Sequence, residues 1–309
     1  MVFTPSAIHA QNITKTDPSK AGTITVDGKV TNITPDRTVN GGKTAINQFS
    51  KFQLDSGNIA NLHLQKANTL VNFVDSKASI NGIVNAVKDN KIGGNLYFLS
   101  PNGIAVGKSG VINAGKIGLI VPIKDSYNEL LKSNSLSDST FSQDNISKIP
   151  LNYNGSIVVE GKLHAPGGIT LAAQNIKIEQ GAELINTSKI DFSNLVNIDE
   201  DVSAGLDEDL VLKADDNGGI YLTARIDDKA IDANTNSFNE TFTASINIGK
   251  GAKLISDSDV TLSSTVTANR SYSLDSFLSY KTNLNVAGNI TAKNIYLESA
   301  IADKYQKYH

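Results

Sequence analysis

The chain contains no cysteine, which removes disulfides, thiolate metal sites and thiol nucleophiles together. A cysteine-free chain also crosses an oxidising compartment without being trapped by a crosslink. Tryptophan is absent, methionine occurs once and aromatic residues make up only 6%. No run approaches the ~20 consecutive apolar residues that a membrane-spanning helix requires. A formal net charge of −3 over 309 residues leaves no basic surface to recruit nucleic acid or acidic lipid. What the chain does have is turn formers: 33 Asn and 24 Gly.

Catalytic and ligand-binding motifs are equally scarce. Gly42-Lys43-Thr44 and Gly107-Lys108-Ser109 end like phosphate-binding loops, but the glycine required five positions upstream is replaced by Arg37 and Asn102. His9, His63, His164 and His309 are scattered singly with no His-Glu-x-x-His spacing. His164, between Leu163 and Ala165, is expected to point to solvent. No Gly-x-Ser-x-Gly elbow occurs. The acidic clusters Asp199-Glu200-Asp201 and Asp207-Glu208-Asp209 fall between periodic segments. They lack both the coil-to-coil stacking a polysaccharide-cleaving carboxylate pair would need and calcium-loop spacing. The sequence therefore calls for no catalytic residue, no metal and no cofactor.

Internal repetition carries the fold. Gly110 to Leu119 (GVINAGKIGL) and Gly288 to Leu297 (GNITAKNIYL) share the template Gly-x-Ile-x-Ala-x-x-Ile-x-Leu. Gly161 to Leu171 (GKLHAPGGITL) fits with one inserted residue, and Gly251 to Leu262 (GAKLISDSDVTL) more loosely, with Ser256 in place of Ala. Each copy reads as two short strands with period-2 alternation around a polar corner, the small Ala or Ser pointing inward at the bend. So small a unit cannot bury its apolar side alone, so copies must stack. The expected fold is all-β: a right-handed parallel β-helix, a solenoid of about ten to twelve coils at roughly 20–25 residues each. A β-sandwich would need longer strands at even spacing.

N-terminal cap strands and extra-helical insertions complete this architecture. Residues 1–10 (MVFTPSAIHA) resemble the tail of a secretory signal cleaved after Ala10; an ordinary frayed terminus is the alternative. Thr23 to Val26 and Lys29 to Ile33 read as strands capping the open end of the solenoid. Phe49 and Phe52, spaced for a helical turn or a bulged strand, plug the first coil. Ser126-Tyr127-Asn128-Glu129 has capping-box form and predicts a helix over Ser126 to Ser133 packed through Tyr127, Leu130 and Leu131, with a polar loop from Asn134 to Ser147. Residues 191–219 form an acidic insertion and 220–309 continue the coils; coil-like sequence up to His309, with no evident cap, predicts a piece of something longer. Asn81, Asn85, Asn102 and Asn113 are expected to be mainly structural, bonding irregular corners as in asparagine ladders.

The most specific segment is Asn95 to Val121, where an apolar strand meets the turn Ser100-Pro101-Asn102-Gly103 and short alternating strands follow. Pro presets φ at the second turn position, and Asn and Gly tolerate the next two. Upstream lie Asn47-Gln48-Phe49, Asp55 to Asn61 (DSGNIAN) and Asn68 to Val74 (NTLVNFV). In this order and spacing, over roughly Thr44 to Pro122, the segments resemble the N-terminal secretion domain of two-partner-secretion exoproteins of the filamentous-haemagglutinin type. That family's Asn-Pro-Asn-Gly-Ile signature falls on Ser100, Pro101, Asn102, Gly103 and Ile104, with Ser100 replacing the first Asn. Its Asn-Pro-Asn-Leu signature falls on Ala67 to Leu70, where three of four residues differ. Asn47, Asn58 and Asn61 match the first block more closely.

The resemblance implies a secretion domain spanning 11–190 that is not an enzyme. It would target a large adhesin- or haemagglutinin-type exoprotein to a cognate outer-membrane β-barrel transporter, recognised by that transporter's periplasmic domains. It would then nucleate β-helix folding outside the cell. The eight residues just mapped, Asn47, Asn58, Asn61 and Ser100 to Ile104, would carry recognition or secretion. The product would be extracellular or on the cell surface, a monomer without nucleic-acid partners, and the full-length protein would meet surface receptors. The alternatives are a carbohydrate-active β-helix enzyme, a lyase or hydrolase, and an autonomous carbohydrate-binding adhesin domain using outward Asn, Thr and Tyr side chains.

Overall fold

A computed structural model of the chain describes residues 12–188, 218–227, 241–270 and 279–305. Three rows of short parallel strands follow one another around each coil, giving a three-faced parallel β-helix. One coil runs Ile83–Lys88, then Asn95–Leu99, then Ile104–Val106, and the next begins at Val111–Asn113. Within a row the strands pair in register with the same strand of the next coil, for example Ile83↔Val111, Asn95↔Lys116 and Ile104↔Ile157. Parallel pairing satisfies every strand only if another coil lies on each side, which is why the unit exists only as a stack.

All four template copies form the predicted pair of strands. Ile112, Leu163, Leu254 and Ile290 fall in one column, Leu184 joining it between Leu163 and Leu254. Ala114 and Ala165, at the bend, are fully buried in the core. The row that begins at Val30–Ile33 stacks eight parallel strands among the described residues, fewer than ten to twelve. Insertions account for the difference, because consecutive strands of this row, Val111–Asn113 and Lys162–His164, are separated by a folded excursion.

The first coil is closed by antiparallel pieces, as the cap strands predict. Ile24–Asp27 and Val30–Ile33 form a hairpin around Gly28, whose φ of +55° suits glycine. Asn12–Lys15 and Arg37–Val39 lie antiparallel on Thr44–Leu54 and occupy the edge that would otherwise stand open. Asn12–Lys15 was not foreseen. A register slip between Thr14 and Lys15 inserts a bulge opposite them, so that Phe49 and Phe52 both turn inward despite their spacing of three. Phe52 meets the rings of Phe49 and Phe98 edge-on, at 5.2 and 5.1 Å. The bulged-strand reading holds, and the helical-turn one does not.

Between Pro122 and Leu151, which form an isolated bridge, the chain leaves the coils. The helix here, α1, spans Lys124–Lys132 and begins two residues before the predicted start; Ser126 caps nothing, since the N-cap position is Ile123. Tyr127 is buried and Leu130 and Leu131 pack beside it, as their spacing requires. Residues 134–147 are not a simple polar loop: a 3₁₀ turn, Asp138–Phe141, and a short helix α2, Gln143–Ile146, press Leu136, Phe141 and Ile146 onto the solenoid. These apolar residues follow no helical or strand period, so no pattern announced them. The cover gives the outward side chains Ile46, Val71, Phe73, Tyr97 and Leu99 a second small core. Arg37 donates to the Leu131 carbonyl at the end of α1, and Arg225 to the carbonyls of Ile146, Ser147 and Ile149 around the end of α2. Residues 1–10, expected to be a signal tail, and 191–219, expected to be an acidic insertion, lie outside the described residues, Gly218 and Gly219 excepted.

Candidate functional site

The turn at Ser100 to Ile104 stitches three coils together. Its own closure is the Gly103 amide donating to the Ser100 carbonyl, 3.3 Å. Towards the preceding coil, Ser100 Oγ donates to the Ser76 carbonyl at 2.7 Å and Asn102 Nδ2 to the Asp75 carbonyl at 2.7 Å. Towards the following coil, the Ser100 amide donates to Ile120 at 3.1 Å, and Asn152 Nδ2 donates to the Pro101 carbonyl at 2.7 Å. Ile104 enters the core. Gly103 has φ +93°, and a Cβ there would stand 2.9 Å from the Ser156 carbonyl, so both conformation and space demand glycine. Asn102 corrects the expectation that it too needs a permissive backbone: it is not among the residues with positive φ. Its contribution is the side-chain bond to Asp75. Ser100 bonds through its hydroxyl: besides donating to Ser76, Oγ accepts the Asn102 amide at 3.2 Å.

Asp75, which carried no sequence signal, is the hub of this corner. Its carbonyl holds Asn102, and its carboxylate accepts Tyr127 Oη at 2.9 Å and Thr16 Oγ1 at 2.8 Å, with Lys124 Nζ at 3.6 Å. Cap, coil corner and cover therefore meet on one residue. The Tyr127 phenol is pushed well up, by burial first and by the Asp75 carboxylate second.

Asn47 sits inside the solenoid rather than at that corner. Its Nδ2 donates to Asn72 Oδ1 at 2.9 Å, and Asn72 Nδ2 donates in turn to the Tyr97 carbonyl at 3.1 Å. Lys15 Nζ caps the column, 2.6 Å from Asn47 Oδ1, 2.8 Å from Asp36 Oδ1 and 4.8 Å above the Phe49 ring. Burial lowers the Lys15 pKa and Asp36 opposes the shift. A buried ammonium is tolerated because its hydrogen bonds are satisfied and its charge is paired.

Asn61 belongs to a longer column on the row of strands that begins at Val30–Ile33. Asn32, Asn61, Asn85, Asn113 and His164 are in register on successive coils. Each donates towards the N-terminal end: Asn61 Nδ2 to Asn32 Oδ1 at 3.2 Å, Asn85 to Asn61 at 3.0 Å and Asn113 to Asn85 at 3.0 Å. His164 Nδ1 lies 3.0 Å from Asn113 Oδ1, and an amide oxygen only accepts, so the ring is protonated at Nδ1. His63 Nε2, 2.9 Å from Asn32 Oδ1, donates for the same reason. The flanking residues, such as Leu163 and Ala165, are core members, so the column stands on the opposite side of the sheet. It is nevertheless buried, His164 being 1% exposed. The solvent-facing expectation for His164 had the direction right and the environment wrong. Stacked strands are about 4.8 Å apart, so identical side chains on successive coils hide one another. The signal was present: Asn113 and His164 hold the same place in the template. Burial, and then the nearby Lys162, lower the His164 pKa to about 4 against a smaller opposing effect of Glu183.

Asn58 differs from its neighbour Asn61. It turns a corner with its backbone, donating to Asp55 and accepting from Ile83, while its half-buried side chain has no hydrogen-bond partner among the described residues. The sequence-derived set is thus divided: Ser100 to Ile104 form one corner, Asn47 and Asn61 lie in separate buried columns, and Asn58 stands alone. Asn85 and Asn113 are structural as expected. Asn81 also marks a corner, its backbone accepting Ser109 Oγ at 2.7 Å.

No family model and no curated protein matches the sequence. Among solved structures, the secretion domain of filamentous hemagglutinin aligns with 96% of this chain and 100% of its own length, at 13% sequence identity and a TM-score of 0.37.

Proposed function

We propose that this chain is a secretion module of the two-partner type. It reaches the periplasm unfolded and is recognised there by the periplasmic domains of an outer-membrane β-barrel transporter. It crosses and folds outside the cell, coil upon coil. The observation that supports this reading is where the motif residues end up. Asn47 and Asn61 are buried in hydrogen-bonded columns, and Ser100 to Gly103 fasten one coil to both neighbours. Residues so placed act on assembly of the stack, the step on which export without an external energy source depends, because coils that have formed outside cannot slip back. Direct contact with the transporter falls to groups reachable before folding and to the strand edges the unfolded segment offers for β-augmentation. The secretion domain proper covers 11–190, and the activity of the exoprotein it serves, whether adhesion or another surface function, lies with other segments.

Co-expression with the cognate transporter tests this. Asn102→Ala and Gly103→Val proteins should accumulate in the periplasm and be degraded there, while the wild type reaches the medium. Wild-type export of both variants would remove the turn from the secretion mechanism.

A further inference from the structure

The cover and the coils line a half-open cavity of about 350 Å³ that the export reading does not use. Its floor is a column of polar side chains, Thr44, Thr69 and Asn95, on the outward face of the row that holds Asn95–Leu99, in register from coil to coil. One wall is the 3₁₀ turn of the cover at Ser137 and Asp138; on another side stand Lys43, Asn68 and Lys88.

The charges around it are unequally partnered. Asp138 is fully engaged, one carboxylate oxygen accepting Tyr97 Oη and the other lying 3.1 Å from Lys116 Nζ. Lys88 Nζ donates to Asn68 Oδ1, a neutral acceptor. The Lys43 side chain has no hydrogen-bond or ion-pair partner among the described residues; its carbonyl accepts the Asn68 and Thr69 amides at 3.0 and 3.3 Å, which sets it beside Asn68. Two cations with no counter-ion among the described residues thus flank Asn68 in a chain whose net charge is −3. No aromatic face lines the cavity, which argues against a nucleobase or a steroid-like ligand. Amide and hydroxyl groups on several sides, together with unpaired ammonium groups at one end, complement a compact molecule rich in hydroxyls and bearing a carboxylate.

We propose that this cavity binds an acidic saccharide of the hexuronate class. The carboxylate sits between Lys43 and Lys88, and the ring hydroxyls meet Asn68, Thr69 and Asn95. The site is complete in the folded protein and is independent of the export reading.

The test is calorimetric titration of the purified chain with digalacturonate, with the neutral galactose dimer and with inorganic sulfate. Digalacturonate should bind at least about tenfold more tightly than either control, a difference of about 1.4 kcal/mol. Lys43→Ala and Lys88→Gln should each weaken it about three- to tenfold, and the pair should abolish it, with affinity falling as salt rises. Lys43 is exposed and its side chain makes no hydrogen bond or ion pair among the described residues, so its variant keeps the fold; if Lys88→Gln melts early, Lys43→Ala alone decides. Equal binding of the neutral dimer, equal binding of sulfate, no binding at all, or undiminished binding by Lys43→Ala would each overturn the proposal.

Discussion

Asn58 and Asn61 lie three residues apart in one motif block, yet their replacement should have very different costs. In the Asn61→Ala protein two hydrogen bonds disappear, one to Asn32 Oδ1 at 3.2 Å and one from Asn85 Nδ2 at 3.0 Å. Each contributes about 1 kcal/mol. Asn32 Oδ1 keeps His63 as a donor, but the fully buried Asn85 amide loses its acceptor, with a desolvation penalty of about 1–3 kcal/mol. Partial relaxation and the overlap of these terms bring the expected loss to about 2–4 kcal/mol. Asn58→Ala removes a half-buried side chain with no hydrogen-bond partner among the described residues and should stay within about 0.5 kcal/mol. Urea unfolding followed by far-ultraviolet circular dichroism and by tyrosine fluorescence would measure both, the second probe showing whether the stack melts as one unit. If Asn61→Ala costs no more than Asn58→Ala, the column does not hold the coils together and the reading of the asparagines as assembly residues fails.

Gly103→Val should cost about 1–3 kcal/mol through its positive φ, and more if the Ser156 carbonyl cannot retreat from the new Cβ, as a thermal melt would report. The His164 pKa is depressed in the folded state, so its contribution is complete above the unfolded value of 6.5 and is lost as pH falls towards about 4. At about 1.4 kcal/mol per unit that is roughly 3 kcal/mol at most; a His164→Asn protein should show a flatter urea-midpoint profile across that window, and an unchanged profile would refute the assignment. Arg225→Ala strands the carbonyls of Ser147 and Ile149, while that of Ile146 keeps the Ile149 amide, so amides in residues 143–151 should exchange with deuterium well before those of the coils; uniform protection would mean the cover is held by its apolar contacts alone.

The solenoid was legible in the sequence because its causes are local and repeated. The Gly-x-Ile-x-Ala-x-x-Ile-x-Leu template sets strand, bend and strand in a few residues, and stacking in register then follows from burying the same apolar column. The corner at Ser100 to Gly103 was legible for the same reason, turn chemistry being a property of four neighbouring residues. Tertiary structure alone decided what depends on distant partners. Asp75 acquires its role only where Thr16, Asn102 and Tyr127 converge, and Lys15 is buried only because Asp36 and Asn47 receive its charge and hydrogen bonds. His164 is dry because the coil beneath places Asn113 against it, and the aperiodic Leu136, Phe141 and Ile146 find their apolar surface on strands far away in sequence. A local pattern fixes what a residue presents; which neighbour meets it is settled when the coils are stacked.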